Sequence, residues 1–209
     1  DASTTKPRMI LEEFTPYQLT QPDLNLFRKA RQEFSLDEWI ELLLTSAGYR
    51  PSAFRTLRLR LLALCRLIPL AQSNLNLIEM GPRGTGKSYL LRNLSARVYL
   101  LAGARATPAT LLYDLNRRRM GIVGRKKVVI FDEIGATVFP DKSLVASLKD
   151  YMESGNLARA GSPEMVADCS FVFAGNLDLD AEGLLPSPSY RHLFQMLPAE
   201  LCDVAIADR

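Results

Sequence analysis

Residues 81–88 read Gly81-Pro82-Arg83-Gly84-Thr85-Gly86-Lys87-Ser88, which fulfils the spacing G-x-x-x-x-G-K-[ST] in full. An apolar stretch at 75–80 precedes it and reads as a short strand, and residues 87–96 behind it read as a helix. A glycine-rich turn between strand and helix has a specific physical use. The glycines let the backbone wrap its N–H groups around phosphate oxygens. The helix N-terminus adds the positive end of its dipole. Lys87 is placed to reach β and γ phosphates, and the Ser88 hydroxyl to ligate Mg²⁺. The expected ligand is therefore ATP with Mg²⁺.

The matching half comes 45 residues after Lys87. Val128-Val-Ile-Phe131 is a continuous apolar run, as a strand buried on both faces shows, and it ends in Asp132-Glu133. A carboxylate there faces the phosphate loop. Asp132 is expected to hold Mg²⁺, and Glu133 to polarise an attacking water. The alternative for Glu133 is a solvated loop acid. The next buried strand, 170–174, leads through Gly175 to Asn176. Its amide can bond the attacking water or the γ-phosphate, or it is simply a turn asparagine.

Strands and helices alternate from residue 74 onward, which predicts an α/β domain with a parallel sheet flanked by helices. A helix at 107–121 is expected, opened by Thr107-Pro108 and ended by Gly121, and another at 142–154 between Asp141 and Gly155. Ahead of this core, 1–33 reads as a polar lead-in with a short helix at 26–32, and 34–73 as a helical segment packing on the core. Ser35 and Glu38 make a capping box, with Phe34 and Trp39 placed for a hydrophobic staple. A second helix is predicted over 53–68, closed or kinked by Pro69.

Composition narrows the class further. With 47% hydrophobic and 23% charged residues, disordered and fibrous classes are excluded. A net charge of +3 does not by itself demand nucleic acid. Cys65, Cys169 and Cys202 form neither a disulfide framework nor a metal pair, and imply a reducing, cytoplasmic setting. The most apolar run, 61–70, is interrupted by Arg66 and is too short to span a membrane. A lone histidine, His192, gives metal-hydrolase chemistry little support. The chain begins at Asp1 and stops at Arg209 within what reads as a motif, so it is expected to be part of a longer protein.

In this order the elements resemble the AAA+ branch of P-loop ATPases: Walker A at 81–88, Walker B at 128–133 and a sensor-1 asparagine at 176. The wording is closer still to one family. Phe34-Ser-Leu-Asp-Glu-Trp-Ile, Leu42-Leu-Leu-Thr-Ser-Ala-Gly-Tyr, the loop itself and Lys149-Asp-Tyr-Met-Glu-Ser-Gly resemble the Lon-related ATPases of bacterial BREX phage-defence systems, the BrxL type. The resemblance implies an AAA+ core over 74–209 whose fifth strand and helical lid would follow Arg209. It implies a homo-oligomeric ring, a hexamer or stacked rings, acting on DNA in antiphage defence alongside other defence proteins. It also implies a Lon-protease-like domain absent from this chain, and no Ser-Lys protease pair is assignable here. The other readings are a Lon-type motor that threads polypeptide and a nucleotide-gated scaffold without turnover.

Three further features carry expectations. Residues 155–168, turning at Gly161-Ser-Pro163, read as a β-hairpin similar to the presensor-1 hairpin of MCM-type helicases, which points into the ring pore, with Arg159 expected to line that pore and meet DNA phosphate; the alternative is an ordinary surface hairpin. Arg117-Arg-Arg119 and Arg125-Lys-Lys127 can meet phosphate or a neighbouring subunit, or form a solvated face. The terminal Asp208-Arg209 matches the position of an arginine finger, although it is further from Asn176 than in Lon; otherwise Arg209 pairs with Asp208 at a helix end.

Overall fold

In the computed structural model the described residues are 23–82, 84–102, 106–134, 139, 141–157 and 165–176. The chain divides into two compact units, Asp1–Trp39 and Ile40–Arg209.

In the first unit Asp23 opens α1 (Leu24–Gln32), its carboxylate accepting from the amides of Asn25 and Leu26. The capping box is present: the Glu38 carboxylate accepts from the Ser35 amide at 2.9 Å, and the Ser35 hydroxyl accepts from the Glu38 amide at 3.3 Å. Hydrogen bonds from the Ser35 hydroxyl and amide hold the Glu38 carboxyl below its ordinary range. Phe27 and Phe34 meet the Trp39 ring edge-on at 5.5 and 5.7 Å, and the Arg31 guanidinium lies 5.0 Å from its centroid. The predicted staple thus takes the form of an aromatic cluster.

The helix opened by that box, α2 (Leu36–Ser46), ends at Gly48, whose φ of +82° suits a glycine. Ile40 and Leu44 bury with Ala63 of α3 (Leu57–Cys65). The single helix expected over 53–68 is corrected here. Residues Pro51–Ala53 form one 3-10 turn, and the Thr56 hydroxyl, accepting from the Leu59 amide, starts α3 only at Leu57. Pro69 does not close a helix but lies in the first turn of a new one, α4 (Ile68–Ala71), where its missing N–H costs nothing.

The second unit continues with β1 (Leu77–Gly81), α5 (Lys87–Leu94), β2 (Val98–Ala102), α6 (Pro108–Leu111), β3 (Tyr113–Asp114), β4 (Arg119–Met120), β5 (Val128–Asp132), α7 (Lys142–Ser154), β6 (Asn156–Leu157), β7 (Met165–Val166) and β8 (Ser170–Asn176). Four strands form a parallel sheet in the order β1-β8-β5-β2. The two central strands are buried along nearly their whole length, as their unbroken apolar runs require. Side chains alternate between the faces. Val128, Ile130, Val172 and Ala174 pack with Leu91 of α5, while Val129, Phe131, Phe171 and Phe173 pack with Leu144, Leu148 and Tyr151 of α7. Each fully buried side chain of this size contributes about 1.5–3 kcal/mol.

Polar side chains fix how β1 meets β8. The Ser170 hydroxyl donates to the Gln72 carbonyl and accepts from the Leu75 amide, both at 3.0 Å. The Asn76 side-chain oxygen accepts from the Phe171 amide at 2.8 Å. Ser170 is fully buried, and these partners remove the cost of burying its hydroxyl.

The long helix expected over 107–121 is also corrected. Thr107 and Pro108 do open α6, but it stops at Leu111 and the chain forms the hairpin β3–β4. The Asp114 carboxylate makes the turn by accepting from the amides of Asn116 and Arg117. Gly121 is not a helix stop. Its amide donates to the Leu112 carbonyl at 2.7 Å, and an added Cβ would fall on the backbone of Leu111 and Leu112, which has no room to yield. Gly121→Ala is expected to destabilise the fold by about 1–3 kcal/mol. A denaturant midpoint equal to wild type would show that this close approach is not needed.

β6 and β7 pair antiparallel between α7 and β8, so the base of the expected hairpin is present. Its turn and Arg159 lie outside the described residues. Cys65 and Cys169 are free thiols, and burial pushes the Cys169 thiol up to about 12. Among the described residues no helix is long and apolar enough to cross a membrane.

Candidate nucleotide-binding site

The carboxyl ends of three adjacent parallel strands converge on one cleft. β1 runs into the glycine loop, β8 ends at Asn176 and β5 at Asp132, with Gly81 and Asn176 in register. Ligands of open α/β sheets bind at this edge. Gly86 (φ +75°) is the N-cap of α5, and Gly84 (φ +78°) precedes it; both need the left-handed conformation that glycine adopts freely. The loop therefore delivers the first amides of α5 and the Ser88 hydroxyl to the cleft wall.

Lys87 is nearly buried, with 9% of its surface exposed, and its ammonium is held by three acceptors. It donates to the Gly81 carbonyl at 2.9 Å, the Pro82 carbonyl at 2.7 Å and the Asn176 side-chain oxygen at 3.3 Å. Asn176 is thus not a remote turn residue but faces the loop lysine. With its oxygen accepting from Lys87, its NH₂ is left to donate into the cleft.

Glu133 lies at φ +52°, a left-handed conformation that costs a non-glycine residue about 1–2 kcal/mol. Its amide donates to the Asp132 carboxylate at 3.1 Å. This turn takes Glu133 off the strand line, and both acids line the cleft of about 310 Å³ with Gly84, Lys87, Ser88 and Asn176.

A second cleft of about 400 Å³ adjoins the first and shares Thr85, Gly86 and Tyr89 with it. Its other wall includes Gly48, Tyr49 and Arg66. This cleft is not apparent from the sequence. The available signal was Arg66 itself, a charge inside the apolar run 61–70, together with Glu79 inside the strand that leads to the loop.

The donor set fits a polyphosphate: backbone amides, one ammonium and one amide NH₂. Ser88 and Asp132 supply two oxygen ligands suited to Mg²⁺, which is commonly bound by one or two carboxylates plus substrate phosphates and waters. No group of three or more His, Cys, Asp or Glu side chains able to hold a metal occurs among the described residues. Of the residues singled out in the sequence, Gly81, Pro82, Gly84, Thr85, Gly86, Lys87, Ser88, Asp132, Glu133 and Asn176 come together here. Arg83, Arg159 and Arg209 lie outside the described residues.

The sheet order and the loop at its carboxyl edge define an α/β ATPase fold of the AAA+ type. The model of the family described as "Lon-like protease BrxL-like, ATPase domain" matches residues 9–209, and the chain belongs to that family. It is 39% identical over 201 residues to Lon-like protease BrxL of Bacillus cereus (strain H3081.97), a match covering 95% of this chain and 29% of that protein. To Lon-like protease BrxL of Escherichia coli O9:H4 (strain HS) it is 37% identical over 194 residues, covering 93% and 27%. The chain therefore spans less than a third of the curated relatives it matches. It also has a distant likeness to the structure of NtrX from Brucella abortus in complex with ATP, at 17% identity and a TM-score of 0.42 over 83% of this chain and 40% of that one.

Proposed function

We propose that this domain binds ATP with Mg²⁺, hydrolyses it between copies assembled in a ring, and uses the cycle to act on DNA in defence against phage. The observation that carries the nucleotide reading is the meeting of Lys87, Asn176 and Glu133 at one cleft. Lys87 binds the β and γ phosphates, exchanging its carbonyl partners for phosphate oxygens. Asn176 directs its NH₂ at the γ-phosphate or the attacking water. The Glu133 carboxylate takes the proton of that water as it attacks. Ser88 and Asp132 would hold Mg²⁺, which would supply charge to offset the build-up on the phosphate oxygens. Arg209 of an adjacent copy completes the site.

Lys87→Ala is expected to abolish tight ATP binding, measured by equilibrium titration. Wild-type turnover in that variant would refute the loop assignment.

The DNA substrate is the expectation drawn from the sequence resemblance, and the hairpin β3–β4 is compatible with it. Its tip carries Arg117, 70% exposed, and Arg118, while buried Leu111, Leu112, Ile122 and Val123 root its base. Two exposed arginines suit phosphate oxygens, although Arg117 also meets the Asp114 carboxylate at 3.9 Å and Leu115 at the same tip is exposed. Arg159, which falls between β6 and β7 in the sequence, is assigned to the same task. Arg159→Ala should weaken binding to all DNA sequences alike and lower the salt slope by about one unit. An unchanged slope and affinity would remove Arg159 from the interface.

A further inference from the structure

One guanidinium brackets the glycine loop at both ends. Arg66, the C-cap of α3, donates through Nε to a Glu79 carboxylate oxygen at 3.0 Å and through Nη2 to the Gly86 carbonyl at 3.1 Å. Glu79 lies on β1 two residues before Gly81, and Gly86 is the loop's last glycine. A third bond runs from Nη1 to the Tyr49 hydroxyl at 2.6 Å. The Tyr49 ring packs edge-on to Phe54 at 5.3 Å, and both pack against the buried cluster of Ile40, Leu44 and Ala63. The ion pair is well sheltered, its two side chains 18% and 22% exposed, so water screens it far less than a surface pair.

Gly86 is where such a clamp matters. With φ +75° and no Cβ, its own side chain does nothing to fix the peptide. Its carbonyl also accepts from the Leu90 amide at 3.3 Å, the first bond of α5. The direction of that peptide sets the direction of the amides at the helix N-terminus. We infer that Arg66 is a positioning residue for the phosphate loop, holding Gly86 against Glu79 and Tyr49 so that the α2–α3 segment sets the loop's grip on the nucleotide. This rests on the nucleotide reading above. A planar fork with donors on three nitrogens makes all three bonds at once, which an ammonium on a flexible stem does not reproduce.

The test uses the full chain, with a fluorescent ATP analogue titrated directly and inorganic tripolyphosphate as competitor. Variants are Arg66→Lys, Arg66→Met, Tyr49→Phe and, as control, Lys87→Ala. Both Arg66 variants should weaken both ligands about tenfold, from loss of charge-assisted bonds. Tyr49→Phe should weaken them about two- to threefold, from loss of one bond. Turnover at saturating ATP should fall by less than about twofold in Arg66→Lys, so the effect appears in KM and not in kcat. Rigidity without function would lower the melting temperature and leave these affinities intact.

Wild-type affinity in a folded Arg66→Lys overturns the inference. So does weaker nucleotide binding with tripolyphosphate unchanged, because Arg66 would then touch base or ribose instead. Should the Arg66 variants fail to fold, Tyr49→Phe decides, and wild-type affinity for both ligands there overturns it. A wild-type chain that binds neither ligand removes the nucleotide reading and this inference together. Binding abolished by Lys87→Ala but untouched by Arg66→Lys removes this inference alone.

Discussion

Glu133→Gln is expected to bind ATP and retain it unhydrolysed, with turnover reduced by about 10²–10⁴. Glutamine keeps the size of the side chain and the left-handed backbone at φ +52°. The substitution therefore removes only the proton-accepting charge. Lys87, Ser88 and Asp132 are untouched, so the affinity should stay near wild type, and the proposed ring, held by bound nucleotide, should become more persistent. Single-turnover kinetics with a nucleotide-binding control checks this. If the variant instead loses nucleotide, Glu133 shapes the cleft rather than serving as base.

Arg209→Ala should leave ATP binding nearly intact and lower turnover by about 10³–10⁵, the range supplied by an arginine finger. A finger from an adjacent copy neutralises charge that grows in the transition state, and a permanently charged planar fork suits that task. Mixing Arg209→Ala with Glu133→Gln chains should restore part of the activity. Some interfaces in the mixture pair an intact Glu133 from one chain with an intact Arg209 from another. A homogeneous Arg209→Ala assembly that turns over ATP at the wild-type rate would refute the assignment, and so would mixtures that show no recovery once mixed assembly is verified.

The parts of the fold legible in the sequence are those set by local chemistry. The loop 81–88 announces itself through glycine and lysine spacing, and α7 through Asp141 and Gly155 at its ends. The buried strand β5 is visible because burial on both faces leaves only apolar residues. The helix over 107–121 failed for a nonlocal reason. Gly121 looks like a helix stop, yet its role is to let two backbones touch, and only the fold brings Leu111 beside it. Arg66 was legible only as an interruption of an apolar run. Its meaning depends on Glu79, 13 positions away, and Gly86, 20 positions away. The seat of Asn176 against Lys87 spans 89 positions and follows only from the strand order.

That strand order also bears on how the protein is made. β1 carries the phosphate loop, yet its neighbour β8 lies some 95 residues later in the chain, as the bonds from Ser170 and Phe171 back to Leu75 and Asn76 record. At ribosomal speeds of about 5–20 residues per second, β1 waits roughly 5–20 s for the strand that flanks it. During that interval the segment 77–88 is a glycine-rich stretch beside an unpaired apolar edge, a state that invites capture by chaperones or by other chains. A nascent chain arrested before residue 170 should therefore lack the ATP affinity of the finished domain, although every residue of its phosphate loop has already emerged.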